Sequence, residues 1–224
     1  MSYREKKKEE EGRYIIMNKE IVLKEYSEKH RQAIENIIRK TWNYDLFCSP
    51  KVAKIMSKVY LNSCLTNQTF TRVAEIDGEA IGIIMGKNIK THKAPFKYKI
   101  NYLASIVRLM LSKEVRATSK IFESVQDVDK EMLDDCLKDY KGELAFFAVN
   151  EDYRGMGLGR MLFDEVKNYM KAQKIRDFYL FTDTSCNYKF YEHLGLVRRN
   201  EKPLTIDAKG KIGEMSFFIY DYTV

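Results

Sequence analysis

The fold is decided by residues 143–174, which read ELAFFAVNEDYRGMGLGRMLFDEVKNYMKAQK. The stretch from Glu143 to Val149 is mostly apolar and predicts a buried strand. From about Leu158 to Lys174, apolar residues recur at helical spacing and predict an amphipathic helix. Between the strand and the helix lie three alternate glycines, Gly155, Gly157 and Gly159. The segment is therefore a predicted strand–loop–helix unit with a glycine-rich turn.

A phosphate could bind where this helix begins. Glycine has no Cβ, so its backbone can approach a phosphate closely and adopt a positive φ. The first turn of a helix presents N–H groups without intrahelical partners, and the helix dipole favours negative charge there. Arg154 and Arg160 add positive charge at the two ends of the loop. Together these features predict an anion site.

Two common phosphate-binding loops do not fit the segment. A P-loop requires Gly-Lys-Ser/Thr at its end, whereas Arg160 and Met161 follow Gly159. A dinucleotide fingerprint requires G-x-G-x-x-G, and Arg160 occupies the position of its third glycine. A third pattern, Q/R-x-x-G-x-G/A, is met in full by residues 154–159.

A second motif lies nearer the C-terminus, where residues 190–196 read FYEHLGL and predict a short helix ended by Gly195. This motif, together with the strand and loop at 144–159, resembles the GNAT N-acetyltransferase family. The order of predicted elements is also similar to that of the family. It runs strand, two helices, β-hairpin, strand–loop–helix, strand, helix and two strands.

The resemblance implies an α/β (α+β) fold with a mixed, mostly antiparallel central sheet of about seven strands flanked by helices. Residues 17–224 are expected to form a single domain, preceded by a charged extension at residues 1–16. Residues 88–141 show helical spacing and are interpreted as a helical insertion between the third and fourth predicted strands. The second half of this insertion is acidic.

The resemblance also implies roles for single residues. Tyr191 is the expected general acid, since a phenol can give its proton to a departing thiolate. Glu143 is the candidate general base, acting through water. Contacts to the acyl donor are expected from the end of the strand, from the loop and from two residues ahead of the second motif: Phe147, Ala148, Val149, Arg154, Gly155, Met156, Gly157, Leu158, Gly159, Arg160, Thr184 and Asn187. Thr184 and Asn187 stand where the family often has Asn and Ala.

Composition argues against several other classes of protein. The net charge is +7, but basic and acidic residues are interleaved, so we do not expect a nucleic-acid partner. The four cysteines and three histidines show no metal-ligand spacing, which predicts reduced thiols and no metal. No run approaches the roughly 18 apolar residues of a membrane span. The charged N-terminus does not resemble a secretory signal, so we expect a cytoplasmic protein without membrane contact.

The sequence therefore predicts an acetyl-CoA-dependent N-acetyltransferase that moves the acetyl group directly from CoA to a primary amine of a small molecule or protein. The acceptor is expected to contact the aromatic loop of Trp42, Tyr44 and Phe47, and the acidic half of the insertion would suit a cationic amine. Two alternatives stay open. One is a non-catalytic acyl-CoA-binding or sensing module that contacts a partner through its insertion, and the other is a basic nucleic-acid binder. A homodimer also stays open.

Overall fold

The computed structural model describes residues 13–16, 19–111, 116–208 and 211–224. Within them, one sheet contains the strands β1 (Arg13–Ile16), β2 (Lys19–Lys24), β3 (Phe70–Ile76), β4 (Glu79–Asn88), β5 (Gly142–Val149), β6 (Asp177–Asp183), β7 (Val197–Ala208) and β8 (Lys211–Thr223). The helices are α1 (Arg31–Thr41), α2 (Tyr44–Phe47), α3 (Pro50–Thr66), α4 (Phe96–Met110), α5 (Arg116–Asp134), α6 (Leu158–Ala172) and α7 (Lys189–His193). The predicted turn at Lys209-Gly210 and residues 1–12 of the predicted extension lie outside the described residues.

The strand order in the sheet is β1-β2-β3-β4-β5-β6-β8-β7. Neighbouring strands are antiparallel except β5 and β6, which run parallel. The predicted fold class is therefore confirmed: a mixed, mostly antiparallel sheet is flanked by helices, and a helical insertion precedes β5. The sheet has one strand more than predicted, because β1 pairs with β2. This strand lies inside the segment predicted as a charged extension, so the sheet begins before the predicted domain start at residue 17.

The two faces of the sheet are covered by different helices. On one face, α6 and α7 pack over a core that includes Phe163, Phe178 and Tyr220. On the other face, α1, α2 and α3 cover β3, β4 and part of β5. On that second face α5 covers β6 and β8, with Met132 fully buried between the helix and the sheet. The donor motifs and the predicted acceptor elements are thus on opposite faces.

The predicted insertion divides between two places. Its first helix, α4, lies against α3, where Asn62 donates a hydrogen bond from its amide to the backbone oxygen of Asn101 at 3.3 Å. Its second helix, α5, lies against β7 and β8. None of the helices in the described part of the chain is long and apolar enough to cross a membrane.

A bulge in β5 sets which side chains face which helices. Met85 pairs with Phe146 and the next residue of β4, Gly86, pairs with Leu144, so Ala145 is an extra residue in β5. As a result Leu144 and Phe147 belong to the core under α6 and α7, whereas Phe146 belongs to the core under α1 and α3.

Candidate active site

The central feature of the site is a gap between β5 and β6. Among the described residues the two strands pair only at Gly142 with Phe178 and at Glu143 with Tyr179. Beyond these pairs, β5 continues along β4 and β6 continues along β8. The edge of β5 from residue 144 onward therefore faces a gap. An exposed strand edge offers N–H and C=O groups to an extended ligand, which could take the place of the missing strand neighbour.

The glycine loop lies at the end of β5, beside this gap. Gly155 has a φ of 78° and Gly157 a φ of 80°, values that residues with a side chain rarely adopt. A Cβ at either position would meet no atom within 4 Å, so the space in front of both glycines is open. Gly157 is the N-cap of α6, and Met161 donates its backbone N–H to the Gly157 oxygen at 3.1 Å. The N–H groups between these residues have no partner inside the helix, so this helix start suits an anion.

The side chains of the loop divide into two groups. Leu158 is 1 % exposed and belongs to the core under α6, so it anchors the start of the helix. Arg154 and Arg160 are exposed beside the glycines, while Met156 is half-buried. The loop thus offers a ligand its backbone N–H groups, with two guanidinium groups at the rim.

Gly159 joins the loop to the second motif. A Cβ at this position would lie 3.0 Å from Cζ of Phe190 and 3.6 Å from Cζ of Phe147. The Phe190 ring in turn lies 5.7 Å from the Phe147 ring and 5.6 Å from the Tyr191 ring, measured between centroids. The absence of a side chain at residue 159 therefore lets α7 pack against the first turn of α6. The two motifs that carried the sequence prediction are neighbours in space.

Tyr191 lies on α7 and is 9 % exposed. Its ring packs against those of Phe147 and Tyr220, with centroid distances of 6.5 Å and 6.1 Å. No described residue forms a hydrogen bond with its hydroxyl group. Burial raises the pKa of Tyr191 well above its usual value, and the neighbouring Cys186 and Asp183 raise it further. A phenol with a raised pKa stays protonated and so remains able to donate a proton.

Glu143 lies at the closed end of the gap, where β5 and β6 still pair. Its carboxylate accepts hydrogen bonds from Asn67 at 3.1 Å, from the Lys87 ammonium at 3.2 Å and from the Tyr179 hydroxyl at 3.4 Å. These hydrogen bonds hold the carboxylate in position, and it forms an ion pair with Lys87. This is the predicted candidate base.

Two further carboxylates, Asp183 and Asp129, escaped the sequence prediction of the site. Asp183 ends β6, and its Oδ1 accepts a hydrogen bond from the backbone N–H of Ser185 at 2.7 Å. Asp129 lies on α5, and its buried Oδ1 has no hydrogen-bond partner. Burial raises the pKa of Asp129 to about 7, and the charges of Asp183 and Glu143 add to this shift. Asp129 on α5 is thus influenced by Glu143 of β5 and by Asp183 of β6.

A cluster of three aromatic side chains, Trp42, Tyr60 and Phe146, borders the same region. The Trp42 ring lies 4.8 Å from the Tyr60 ring and stacks on Phe146 at 6.1 Å. Burial raises the pKa of Tyr60, and Asp183 is among the groups that raise it further, so Tyr60 also lies near the gap. Tyr60 is a single aromatic residue within α3, and nothing in the sequence marked it as part of the site.

The other predicted acceptor residues lie elsewhere. Tyr44 is 5 % exposed inside the core formed by α1, α2 and α3. Phe47 is the last residue of α2. Trp42, also a predicted acceptor residue, lies against β5 through its contact with Phe146.

The remaining predicted donor contacts are spread around the gap. Phe147 and Val149 pack towards α6 and α7, and Ala148 packs towards α1 and α3. Thr184 and Asn187 are exposed in the segment between β6 and α7. The Thr184 hydroxyl accepts a hydrogen bond from the backbone N–H of Ser216 at 3.3 Å, which ties this segment to β8.

The Cys186 thiol lies in the same segment, half-buried, with its Sγ 4.0 Å from Oδ2 of Asp183. Burial raises the pKa of the Cys186 thiol to about 11, and the Asp183 carboxylate raises it further. Because the thiolate is the reactive form, this environment suppresses nucleophilic reactivity. Cys186 is therefore a poor candidate for a nucleophile.

Comparison with known proteins relates part of the chain to one protein family. Residues 122–196 match the model of the Acetyltransferase (GNAT) family, and this segment contains Glu143, the glycine loop and Tyr191. The solved structure of a ribosomal-protein-alanine N-acetyltransferase from Brucella melitensis superposes with a TM-score of 0.53 and 12% sequence identity, covering 91% of this chain and 99% of that chain. The N-acetyltransferase from Staphylococcus aureus Mu50 gives a TM-score of 0.51 at 12% identity, covering 91% of this chain and 98% of that chain. No curated protein sequence matches the chain.

The fold is thus the fold of the GNAT acetyltransferases. The segment that holds the glycine loop and Tyr191 matches the GNAT family model, and this match confirms the resemblance seen in the sequence.

Proposed function

We propose that this chain is an acetyl-CoA-dependent N-acetyltransferase that moves the acetyl group directly from CoA to a primary amine of a small molecule or protein. The observation that carries the proposal is the contact between the two motifs, in which Gly159 packs against Phe190 and so brings Tyr191 beside the phosphate-binding loop. An anion site and a protonated phenol are therefore held together at one gap in the sheet.

The described residues fit acetyl-CoA. The open space in front of Gly155 and Gly157, together with the first N–H groups of α6, would take its pyrophosphate. The free edge of β5 from residue 144 to 149 would hold the extended arm through backbone hydrogen bonds. When bound, acetyl-CoA supplies the acetyl group as a thioester.

Two side chains would handle the protons. The Tyr191 hydroxyl would give its proton to the sulfur as the carbon–sulfur bond breaks, and its raised pKa keeps that proton in place until then. Glu143 would take a proton from the amine through water as the carbon–nitrogen bond forms. The Lys87 ammonium lies 3.2 Å from the Glu143 carboxylate and helps to hold it in position.

Thiol release from acetyl-CoA tests the proposal, measured against a panel of amines, aminoglycosides, polyamines, amino acids and peptides. Tyr191→Phe should lower kcat by about 100-fold, in the range usual for loss of a general acid, and leave acetyl-CoA binding by calorimetry nearly unchanged. Tyr188→Phe is the matched control, since it removes a hydroxyl from the residue that precedes α7 and should keep kcat.

The outcomes separate the competing functions. Unchanged turnover in Tyr191→Phe would remove this residue from the mechanism. Acetyl-CoA binding without thiol release across the whole panel would instead favour the non-catalytic acyl-CoA-binding module.

A further inference from the structure

The outer face of the insertion helix α4 is apolar and exposed. Among the side chains that the structure describes, ten large hydrophobic ones are exposed, and six of these belong to α4 or its C-cap: Phe96, Ile100, Leu103, Val107, Met110 and Leu111. We call these six residues the outer stripe of α4. Single exposed hydrophobic residues are normal on a protein surface, but a contiguous patch marks a contact with a partner or a membrane.

The spacing of the outer stripe makes it contiguous. From Phe96 it continues in alternating steps of four and three, at residues 100, 103, 107 and 110. A repeat of about 3.5 residues is the pattern of a helix that packs lengthwise against another helix. On the opposite side of α4, Ser105 is buried, and Tyr98 and Leu109 pack in the core that includes α3. The outer stripe therefore faces away from α3.

Two other ways of covering the outer stripe fit less well. A helix that lies on a membrane surface has a strongly charged face opposite its apolar face, whereas the opposite face of α4 packs against α3. Residues 1–12 of the chain read MSYREKKKEEEG, so their sequence supplies no apolar face that would match the stripe. A helix of a second molecule is the better match to a lengthwise apolar seam.

The charges of α4 favour a second copy of the same helix in antiparallel orientation. Its charged residues are Lys97, Lys99 and Arg108, and both lysines lie in its N-terminal half. In an antiparallel pair, the lysines of each copy would lie beside the C-terminal half of the other, where the helix dipole is negative. A parallel pair would instead bring the lysines of the two copies together. A twofold axis generates the antiparallel pair from two identical chains.

The size of the outer stripe also fits such a pair. Its side chains are between 51 % and 81 % exposed. Six large side chains exposed to this degree present on the order of 500 Å² of apolar surface. Two stripes packed together would cover on the order of 1,000 Å², which is the size at which specific interfaces between proteins begin.

We propose that the outer stripe of α4 is the interface of a homodimer, in which α4 packs antiparallel against α4 of a second copy of this chain. The first half of the insertion then serves association, through an apolar seam with lysines at one end of each helix. This interface does not depend on the proposed acetyltransferase function, because α4 and the glycine loop lie on opposite faces of the sheet.

The experiment measures the mass of the full chain by size-exclusion chromatography with multi-angle light scattering, at about 50 µM. The unmodified protein should have twice the mass of one chain. Leu103→Glu places a charge in the middle of the stripe, and the twofold axis brings two such charges close together, so association should weaken about 100-fold. Leu137→Glu makes the same change at an exposed leucine outside the stripe and should leave the dimer intact.

Circular dichroism shows whether Leu103→Glu keeps its fold, as expected for a side chain that is 65 % exposed. A mass of one chain for the unmodified protein would overturn the proposal, and so would a dimer that persists in folded Leu103→Glu. Flotation of the single chain with vesicles of phosphatidylcholine and phosphatidylserine, lost in Leu103→Glu, would assign the stripe to a membrane surface instead. Thiol release is measured separately, so failure of the dimer leaves the acetyltransferase function standing.

Discussion

Asp129→Asn should stabilise the folded protein by an amount that grows with pH. Burial, aided by the charges of Asp183 and Glu143, raises the pKa of Asp129 from 3.8 to about 7. The folded protein therefore holds this proton more tightly than the unfolded chain does. Stability is lost as the pH rises from the unfolded pKa towards the folded pKa, and the loss is complete above it. Asparagine has nearly the same shape and no charge to ionise, so the variant avoids this loss.

The size of this stabilisation follows from the shift in the pKa of Asp129. One pKa unit corresponds to about 1.4 kcal/mol, so a shift of roughly three units sets a ceiling of about 4 kcal/mol. Part of the Asp129 side chain contacts solvent, which screens its charge. We therefore expect a gain of roughly 2 kcal/mol at alkaline pH, about half of the ceiling. In a protein of this size that gain corresponds to a rise of roughly 4–8 °C in Tm.

Thermal unfolding of the variant and the unmodified protein, followed by circular dichroism between about pH 5 and pH 8.5, measures this effect. The difference in Tm should widen as the pH rises to about 7 and then level off. Asp127→Asn, at an exposed position of the same helix, should give a difference that does not vary with pH. A difference for Asp129→Asn that stays flat or narrows at alkaline pH would refute the reasoning, because the ionised carboxylate would then have a compensating partner.

Three other perturbations test separate parts of the molecule. Gly157→Ala forces a side chain into a φ of 80° and into the open space before α6, so it should cost about 1 kcal/mol in urea unfolding and weaken acetyl-CoA binding at least tenfold by calorimetry. Cys186, with a pKa raised to about 11, should react with iodoacetamide at pH 7.5 at least tenfold more slowly than a free cysteine, and rapid labelling of its peptide in mass spectrometry would contradict this. Glu75→Gln should cost about 1–3 kcal/mol at pH 7, because the buried carboxylate accepts bonds from His30 and two lysines. Burial raises the pKa of Glu75 but these bonds outweigh it and lower the pKa to about 2, so the cost should shrink as the pH falls below about 4.5.

The parts of the fold that the sequence predicted are those with strong local signals. The strand, glycine loop and helix at 143–174 each have their own pattern, and the structure places β5, the loop and α6 there. Asp77 and Gly78 likewise adopt positive φ values of 51° and 81° in the turn between β3 and β4, as expected for that pair. The strand β1 was missed because its conformation depends on pairing with β2, which is a tertiary contact.

The parts that could not be predicted depend on contacts between distant segments. The glycine pattern indicated a phosphate site, but the packing of Gly159 against Phe190 appears only when α6 and α7 are assembled. Asp129 was one acidic residue among several in the insertion, and the sequence alone does not show which of them the sheet covers. Its meeting with Glu143 and Asp183 requires the divergence of β5 from β6, which no local pattern encodes.

The two faces of the sheet separate the glycine loop from the helix α5. The glycine loop and Tyr191 belong to the face covered by α6 and α7, whereas Asp129 belongs to the face covered by α5. The charge of Asp183 raises the pKa of both Tyr191 and Asp129, whereas Gly157 belongs to the loop before α6. The double variant Gly157→Ala/Asp129→Asn should therefore change the free energy of unfolding in urea by the sum of the two single changes, within about 0.5 kcal/mol, as separate sites do. A larger departure in a double-mutant cycle would mean that α5 also contributes to the donor side.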